Sequence, residues 1–228
     1  MHRGGRWAVQ TQISTARLPL LRWYAMSTRF ILIRHGQTEW NRVERFRGRA
    51  DLPLNQTGLD QAAATARRVA ESWQPAALYT SPLLRARQTA EAISRLVPLP
   101  IQVHTGLCDI HFGLLQGLTV EEARTRWPEV VESWFTTPQL TRFPDGEALA
   151  DLQQRSMSML NELVGRHPGQ TVVLVSHTVV NRVILLSILG LGLDRFWRLG
   201  QDTCAINVFD AEEGDFTLIT LNDTCHLR

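Results

Sequence analysis

The sequence predicts an α/β fold, a single domain of three layers with a mostly parallel central sheet and helices on both faces. Three observations predict it. Short apolar, β-forming runs alternate along the chain with longer helical segments. No internal repeat, low-complexity linker or second domain interrupts them. The 228 residues are 44% hydrophobic and 20% charged, enough for one sizeable core and too apolar for a disordered chain.

The elements follow in order. Residues 1–25 stand apart, because they carry Arg3, Arg6, Arg17 and Arg22 and no acid, and so account for the positive net charge. They lack an apolar h-region and an A-x-A site, so a secretory signal is not expected. They read as a basic extension ahead of the expected start at Met26, with an organelle transit peptide as the alternative. The domain is assigned to residues 26–228. Arg29–Ile33 is a buried strand that stops at a glycine. Thr57-x-x-Asp60 resembles a capping box and opens an Ala-rich helix to about Ser72. Ala77–Thr80 is a second strand. Ser81 and Pro82 read as the N-cap and first residue of a helix to about Leu96. Ile101–Val103 is a third strand. The Pro144–Glu147 segment leads into a long amphipathic helix that ends near Arg166 and is broken by His167-Pro168-Gly169. Thr171–Val175 is a strand that meets Ser176-His177 and a helix to about Leu189. Two more strands lie near 205–210 and 216–221.

Composition excludes several chemistries. The 24 basic residues are all arginine, so Schiff bases, P-loop lysines and cofactor aldimines are ruled out. A net charge of +2 does not suit a nucleic-acid binder. The longest apolar stretch, 179–193, contains Asn181 and Arg182 and is too short to span a bilayer. Cys108, Cys204 and Cys225 are odd in number and lack C-x-x-C spacing, which argues against a disulfide framework or cysteine zinc site and for a cytoplasmic location. His35, His111, His177 and Asp109 could be drawn as a zinc set, but the H-x-x-x-H and H-E-x-x-H spacings are missing. No metal and no cofactor are expected.

Two strands end in histidine, at Ile33-Arg34-His35-Gly36 and Val175-Ser176-His177. Ligands of open α/β sheets bind outside the carboxyl ends of the strands, so both histidines belong at one edge. Gly36 would allow close backbone approach to a ligand. Arg34 offers a fork that matches phosphate oxygens, and neutral His35 can attack phosphorus. The run Arg34-His35-Gly36-Gln37-Thr38-Glu39-Trp40-Asn41 resembles the R-H-G-x-T-x-x-N signature of the histidine phosphatase superfamily, the phosphoglycerate-mutase-like group. The resemblance extends through Leu52-Pro53-Leu54-Asn55-x-x-Gly58, Ser81-Pro82-Leu83-x-Arg85-Ala86-x-Gln88-Thr89-Ala90 and Val175-Ser176-His177. It implies a nucleophilic His35 that becomes phosphohistidine. Arg34, Arg85 and His177 would surround the phosphoryl oxygens, with Gly36, Thr38 and Asn41 completing the phosphate site.

The same resemblance implies a proton donor. Leu107-Cys108-Asp109-Ile110-His111-Phe112-Gly113 stands where the family normally carries a glutamate pattern, so Asp109 is the expected acid, with Glu39 as the alternative and His111 at the pocket rim or facing solvent. A phosphatase acting on a small phosphorylated metabolite is expected. Mutase-type transfer and an inactive phosphate-ester binding protein are the alternatives. Ile110 disfavours the mutase, whose members carry arginine after the acid. The C-terminal Leu221-Asn222-Asp223-Thr224-Cys225-His226-Leu227 resembles metal-independent phosphoserine phosphatases. Phe112, however, fills a position where those enzymes carry histidine, so α-ribazole phosphate and sugar phosphates stay open as substrates. Oligomeric state is not readable, and a homodimer is compatible with the sequence.

Overall fold

The computed structural model describes residues 27–212 and 214–228. The readings of residues 1–25 and of a start at Met26 fall outside them. Six strands among the described residues form one sheet: β1 (Thr28–Arg34), β2 (Ala77–Thr80), β3 (Ile101–Val103), β4 (Thr171–Ser176), β5 (Ile206–Glu212) and β6 (Asp215–Asp223), in the order β3-β2-β4-β1-β5-β6. The first four run parallel, whereas β5 is antiparallel to β1 and β6 to β5. The two C-terminal strands therefore extend the parallel sheet as an antiparallel edge.

Successive residues of a strand point to opposite faces. On β1, Ile31 and Ile33 enter one core with Ala66 and Val69 of α2 (Gln56–Ser72) and Ala90 and Ile93 of α3 (Leu84–Leu96). Phe30 and Leu32 enter the other core with α6 (Leu149–Arg166) and α7 (Thr178–Ile188). The same layer holds the short helices α4 (Val120–Arg126) and α5 (Pro128–Thr136), and α1 (Glu39–Arg42) follows β1. Helices thus cover both faces, as the alternating pattern predicts. No helix among the described residues is long and apolar enough to cross a membrane.

Three details differ from the sequence reading. The N-cap of α2 is Asn55, whose side chain accepts from Gly58 N at 2.9 Å. Thr57 lies inside the first turn. Ser81 does not cap α3, which begins at Leu84 with Leu83 at the N-cap position; its hydroxyl accepts from Leu83 N at 3.3 Å and lies 2.7 Å from His177 Nε2. Helices α4 and α5 carried no expectation. Their signal is the Thr119/Glu122 capping box, followed within a few residues by Pro128.

The sheet positions the site through β1 and β4. They are parallel neighbours with Arg34 opposite Ser176. His35 N donates to Ser176 O at 2.9 Å, so the two histidines leave the sheet side by side.

Candidate active site

His35 and His177 face each other with ring centroids 5.1 Å apart. His35 Nδ1 lies 2.6 Å from Gly36 O. A carbonyl only accepts, so Nδ1 carries the proton and Nε2 keeps its lone pair. Arg85 Nε donates to that Nε2 at 3.2 Å. Burial, followed by the charges of Arg85, Arg34 and Arg47, holds His35 well below the usual histidine value, so the ring is neutral.

Arg85 enters from the first turn of α3 and is fully buried. Its Nη1 donates to Ala50 O and its Nη2 to Gly48 O, each at 2.8 Å, and Nη2 reaches Asp109 Oδ2 at 3.1 Å. These contacts fix the guanidinium before any substrate arrives. Arg34, at the end of β1, donates Nη1 to Gln201 O at 2.5 Å, while its Nε is buried without a partner. Burial, and then Arg47, push its pKa down to about 9.

Asp109 follows the single-turn helix at Thr105–Leu107 and is 5% exposed. Its Oδ1 accepts from Ile110 N at 3.0 Å, and its Oδ2 lies 3.7 Å from His177 Nδ1. Burial raises its pKa above the ordinary carboxylate range, although Arg85 and Arg47 pull the other way. A second layer grips its backbone. Arg155 Nη2 donates to Asp109 O at 3.1 Å while its Nε donates to Glu147 Oε1 at 3.0 Å, and Glu147 Oε2 accepts from His111 N at 2.9 Å.

His177 Nε2 meets Ser81 Oγ. Ser81 Oγ also accepts from Leu83 N at 3.3 Å, and His177 Nδ1 lies 3.7 Å from Asp109 Oδ2 with no hydrogen-bond partner. Burial and Arg85 lower the His177 pKa as well.

A cavity of about 350 Å³ opens from this centre, with Arg34, Asn41, Arg47, Asp109, Arg182 and Gln201 along its polar side. Phe112, Trp134 and Trp197 form an aromatic side. The structure therefore gathers His35, Arg34, Arg85, Asp109 and His177, with Asn41 on the cavity wall. Arg34 and Asp109 connect this group to the cavity wall, whereas His35, Arg85 and His177 lie behind it and Gly36 and Thr38 do not line it either. The Gly36 amide is used by Thr89 Oγ1, and a Cβ at Gly36 would lie 2.5 Å from Gly58 O, so this glycine admits a neighbouring backbone and no ligand. Thr38 Oγ1 donates to Asn41 Oδ1 at 2.9 Å and holds that side chain in place. Glu39 is an exposed partner of Arg42, and His111 is off the cavity wall. Sequence reasoning missed Arg47, Arg182 and Ser81. Arg47 sits in a run of arginines that residue type cannot sort, and Ser81 looks like an ordinary helix cap. Among the described residues no cluster of three metal-ligating side chains occurs.

Residues 30–224 match the histidine phosphatase superfamily (branch 1). Phosphoserine phosphatase 1 of Hydrogenobacter thermophilus is 36% identical over 199 residues, covering 87% of this chain and 94% of that one. The metal-independent phosphoserine phosphatase of Arabidopsis thaliana is 36% identical over 163 residues, 71% of this chain and 68% of that one. The solved structure of YhfR from Bacillus stearothermophilus has a TM-score of 0.84 and 31% identity, over 88% of this chain and 100% of that one. The chain belongs to the histidine phosphatase superfamily, branch 1, and is a phosphatase of that family.

Proposed function

We propose that the chain hydrolyses a small phosphorylated metabolite of the cytoplasm without a metal, with His35 as nucleophile. One observation carries the assignment: His35 Nδ1 is pinned on Gly36 O, which leaves the Nε2 lone pair beside Arg85. Phosphoryl oxygens entering against Arg34, Arg85 and His177 take over the Arg85 Nε hydrogen bond and free that lone pair. Nε2 then attacks phosphorus while the bond from phosphorus to the ester oxygen breaks. Charge growing on the transferring oxygens meets cationic donors already in place. Asp109, whose pKa burial raises, gives its proton in its protonated form to the departing alkoxide. In the second half, water attacks the phosphohistidine, Asp109 takes the water proton, and inorganic phosphate leaves.

Hydrolysis is favoured over mutase-type transfer because Ile110, and no basic residue, follows Asp109. The assembled set of His35, Arg34, Arg85, Asp109 and His177 disfavours an inert binding protein. Buried free thiols at Cys108 and Cys204 suit a reducing cytoplasm. Solution mass decides between a monomer and the homodimer that the sequence allows. The enzymatic test uses p-nitrophenyl phosphate together with acid quench of labelled substrate. Wild type should turn over and trap an acid-labile, base-stable phosphate, and His35→Ala should do neither. Full activity in His35→Ala overturns the mechanism.

A further inference from the structure

The cavity wall carries cations that one phosphoryl group does not satisfy. Arg34 and Arg85 are the phosphoryl donors of the reading above. Arg45, Arg47 and Arg182 remain on the cavity wall; Arg45 is paired with Glu122 and Gly117 O, and Arg47 acts on His35 and Asp109, which leaves Arg182. Arg182 Nε donates to Leu199 O at 2.7 Å, and its guanidinium carbon lies 5.1 Å from the ring centres of both Phe196 and Trp197. The side chain is therefore pinned against two aromatic faces. Among the described residues no carboxylate pairs with it, and its terminal nitrogens make no hydrogen bond. The acids on the cavity wall are Asp109, already engaged by Arg85, and Glu44, exposed at its edge.

The apolar side has its own shape. Trp197 stacks on Phe135 at 5.4 Å with an interplanar angle of 22°, and both rings are about two-fifths exposed. Phe112 packs edge-on against Phe143 and Trp134, so it offers the cavity carbon and no hydrogen bond. A cavity of about 350 Å³ is in the size class of whole small-molecule sites, which is more than a phosphoryl group needs.

We infer that the cavity wall around Arg182 is a leaving-group subsite for an alcohol that carries its own anionic group on a flat or apolar body, with Arg182 as the anion's partner. The inference rests on the phosphatase reading and deepens it, since it names the class of phosphomonoester. Arg182 is a specificity residue that touches the leaving group and takes no part in the phosphoryl step. Rigidity is what fits it for that role, because a guanidinium already tied to Leu199 O and to two rings loses little freedom when it binds.

The test compares two aryl phosphates of similar leaving-group basicity, 4-(carboxymethyl)phenyl phosphate and 4-ethylphenyl phosphate. The quantity read is the ratio of kcat/KM, anionic over neutral, so a general loss of folding or phosphoryl handling cancels. A charge-assisted hydrogen bond is worth roughly a factor of 10–100. Wild type should prefer the carboxylate by that factor, Arg182→Gln should bring the ratio to about one, and Arg182→Lys should keep part of it. A second arm measures the dissociation constants of the same esters by calorimetry on the His35→Ala background, with and without Arg182→Gln. It reports on the subsite without turnover. Absent turnover of both esters, with the binding preference intact, overturns the phosphatase reading and upholds the subsite. Turnover with a wild-type ratio near one, or a ratio unmoved by Arg182→Gln, overturns the subsite and leaves the phosphatase. A phosphonomethyl analogue of the carboxylate ester tells which anion is taken. Loss of preference for both anions in Arg182→Gln supports the subsite, and retention of both refutes it.

Discussion

Replacing Asp109 by asparagine separates proton donation from positioning. The amide oxygen can keep the 3.0 Å bond from Ile110 N, whereas the amide nitrogen takes the place of Oδ2 and faces Arg85 Nη2, donor against donor. Arg85 still holds Gly48 O and Ala50 O, so the phosphoryl donors stay in place. The lost charge-assisted bond costs about 1.5–3 kcal/mol of stability. That cost bears equally on every substrate. Loss of the acid does not, because an alkoxide of high pKa needs a proton on leaving and p-nitrophenolate barely does. General acid catalysis contributes about 10²–10⁴-fold. Asp109→Asn should therefore slow an alkyl phosphate by that factor and p-nitrophenyl phosphate far less, as read by kcat at saturating substrate. The pH profile gives a second reading. An acid must be protonated to donate, and burial raises the Asp109 pKa from the usual carboxylate value. Alkyl phosphate turnover should persist above that usual value and fall as pH rises through the raised one. His35 must be neutral to attack, and its pKa is depressed, so the acid limb should lie well below the usual histidine range. Asp109→Asn should remove the alkaline limb and leave the acid one. Equal slowing of both substrates, with the alkaline limb intact, would refute proton donation by Asp109.

Other outcomes follow from the same geometry. Ser81→Ala removes the hydroxyl at 2.7 Å from His177 Nε2 and leaves a buried ring nitrogen unpaired. At about 1–3 kcal/mol for such a loss, kcat/KM for p-nitrophenyl phosphate should drop roughly 5–100-fold, and Ser81→Thr should restore part of it. Gly36→Ala drives a methyl to 2.5 Å from Gly58 O, backbone against backbone. The loop must shift, so thermal melting should fall and turnover should collapse together, while a melting temperature and rate equal to wild type contradict the contact. Dialysis against EDTA should leave turnover unchanged, since arginines supply the charge that a cation would. Loss of activity restored by magnesium or zinc contradicts that account.

Much of this was legible because the informative residues sit where strands stop. The apolar runs at 30–33 and 172–175 are buried on both faces, and each is followed at once by the residues that do the chemistry. Arg85 was legible only through the motif around it, since nothing in a helical arginine announces that four acceptors will hold it. The helix starts were misplaced where a side chain had a rival partner. Asn55 caps α2 because its side chain reaches Gly58 N, and the helix after Ser81 starts only at Leu84, leaving the Ser81 hydroxyl shared between Leu83 N and His177. Helices α4 and α5 are short and interrupted by Pro128, too brief for a 3.6-residue period to show. The arginine surplus around Arg47 and Arg182 is invisible in a net charge of +2, because sequence sums charge and a cavity sorts it.

The pairing of β1 with β4 joins segments that begin roughly 140 residues apart, and contacts of such long range form slowly in folding. His35 and His177 each follow directly on one of those two strands. Neither half of the chain can hold a reduced version of the site, because Arg85 and Asp109 reach it only from the segments threaded between. Turnover therefore reports chain closure. In a refolding experiment, recovered activity should trail far-ultraviolet ellipticity and coincide with protection of the β1 amides from hydrogen exchange, and the substrate becomes a clock for the last strand to be seated.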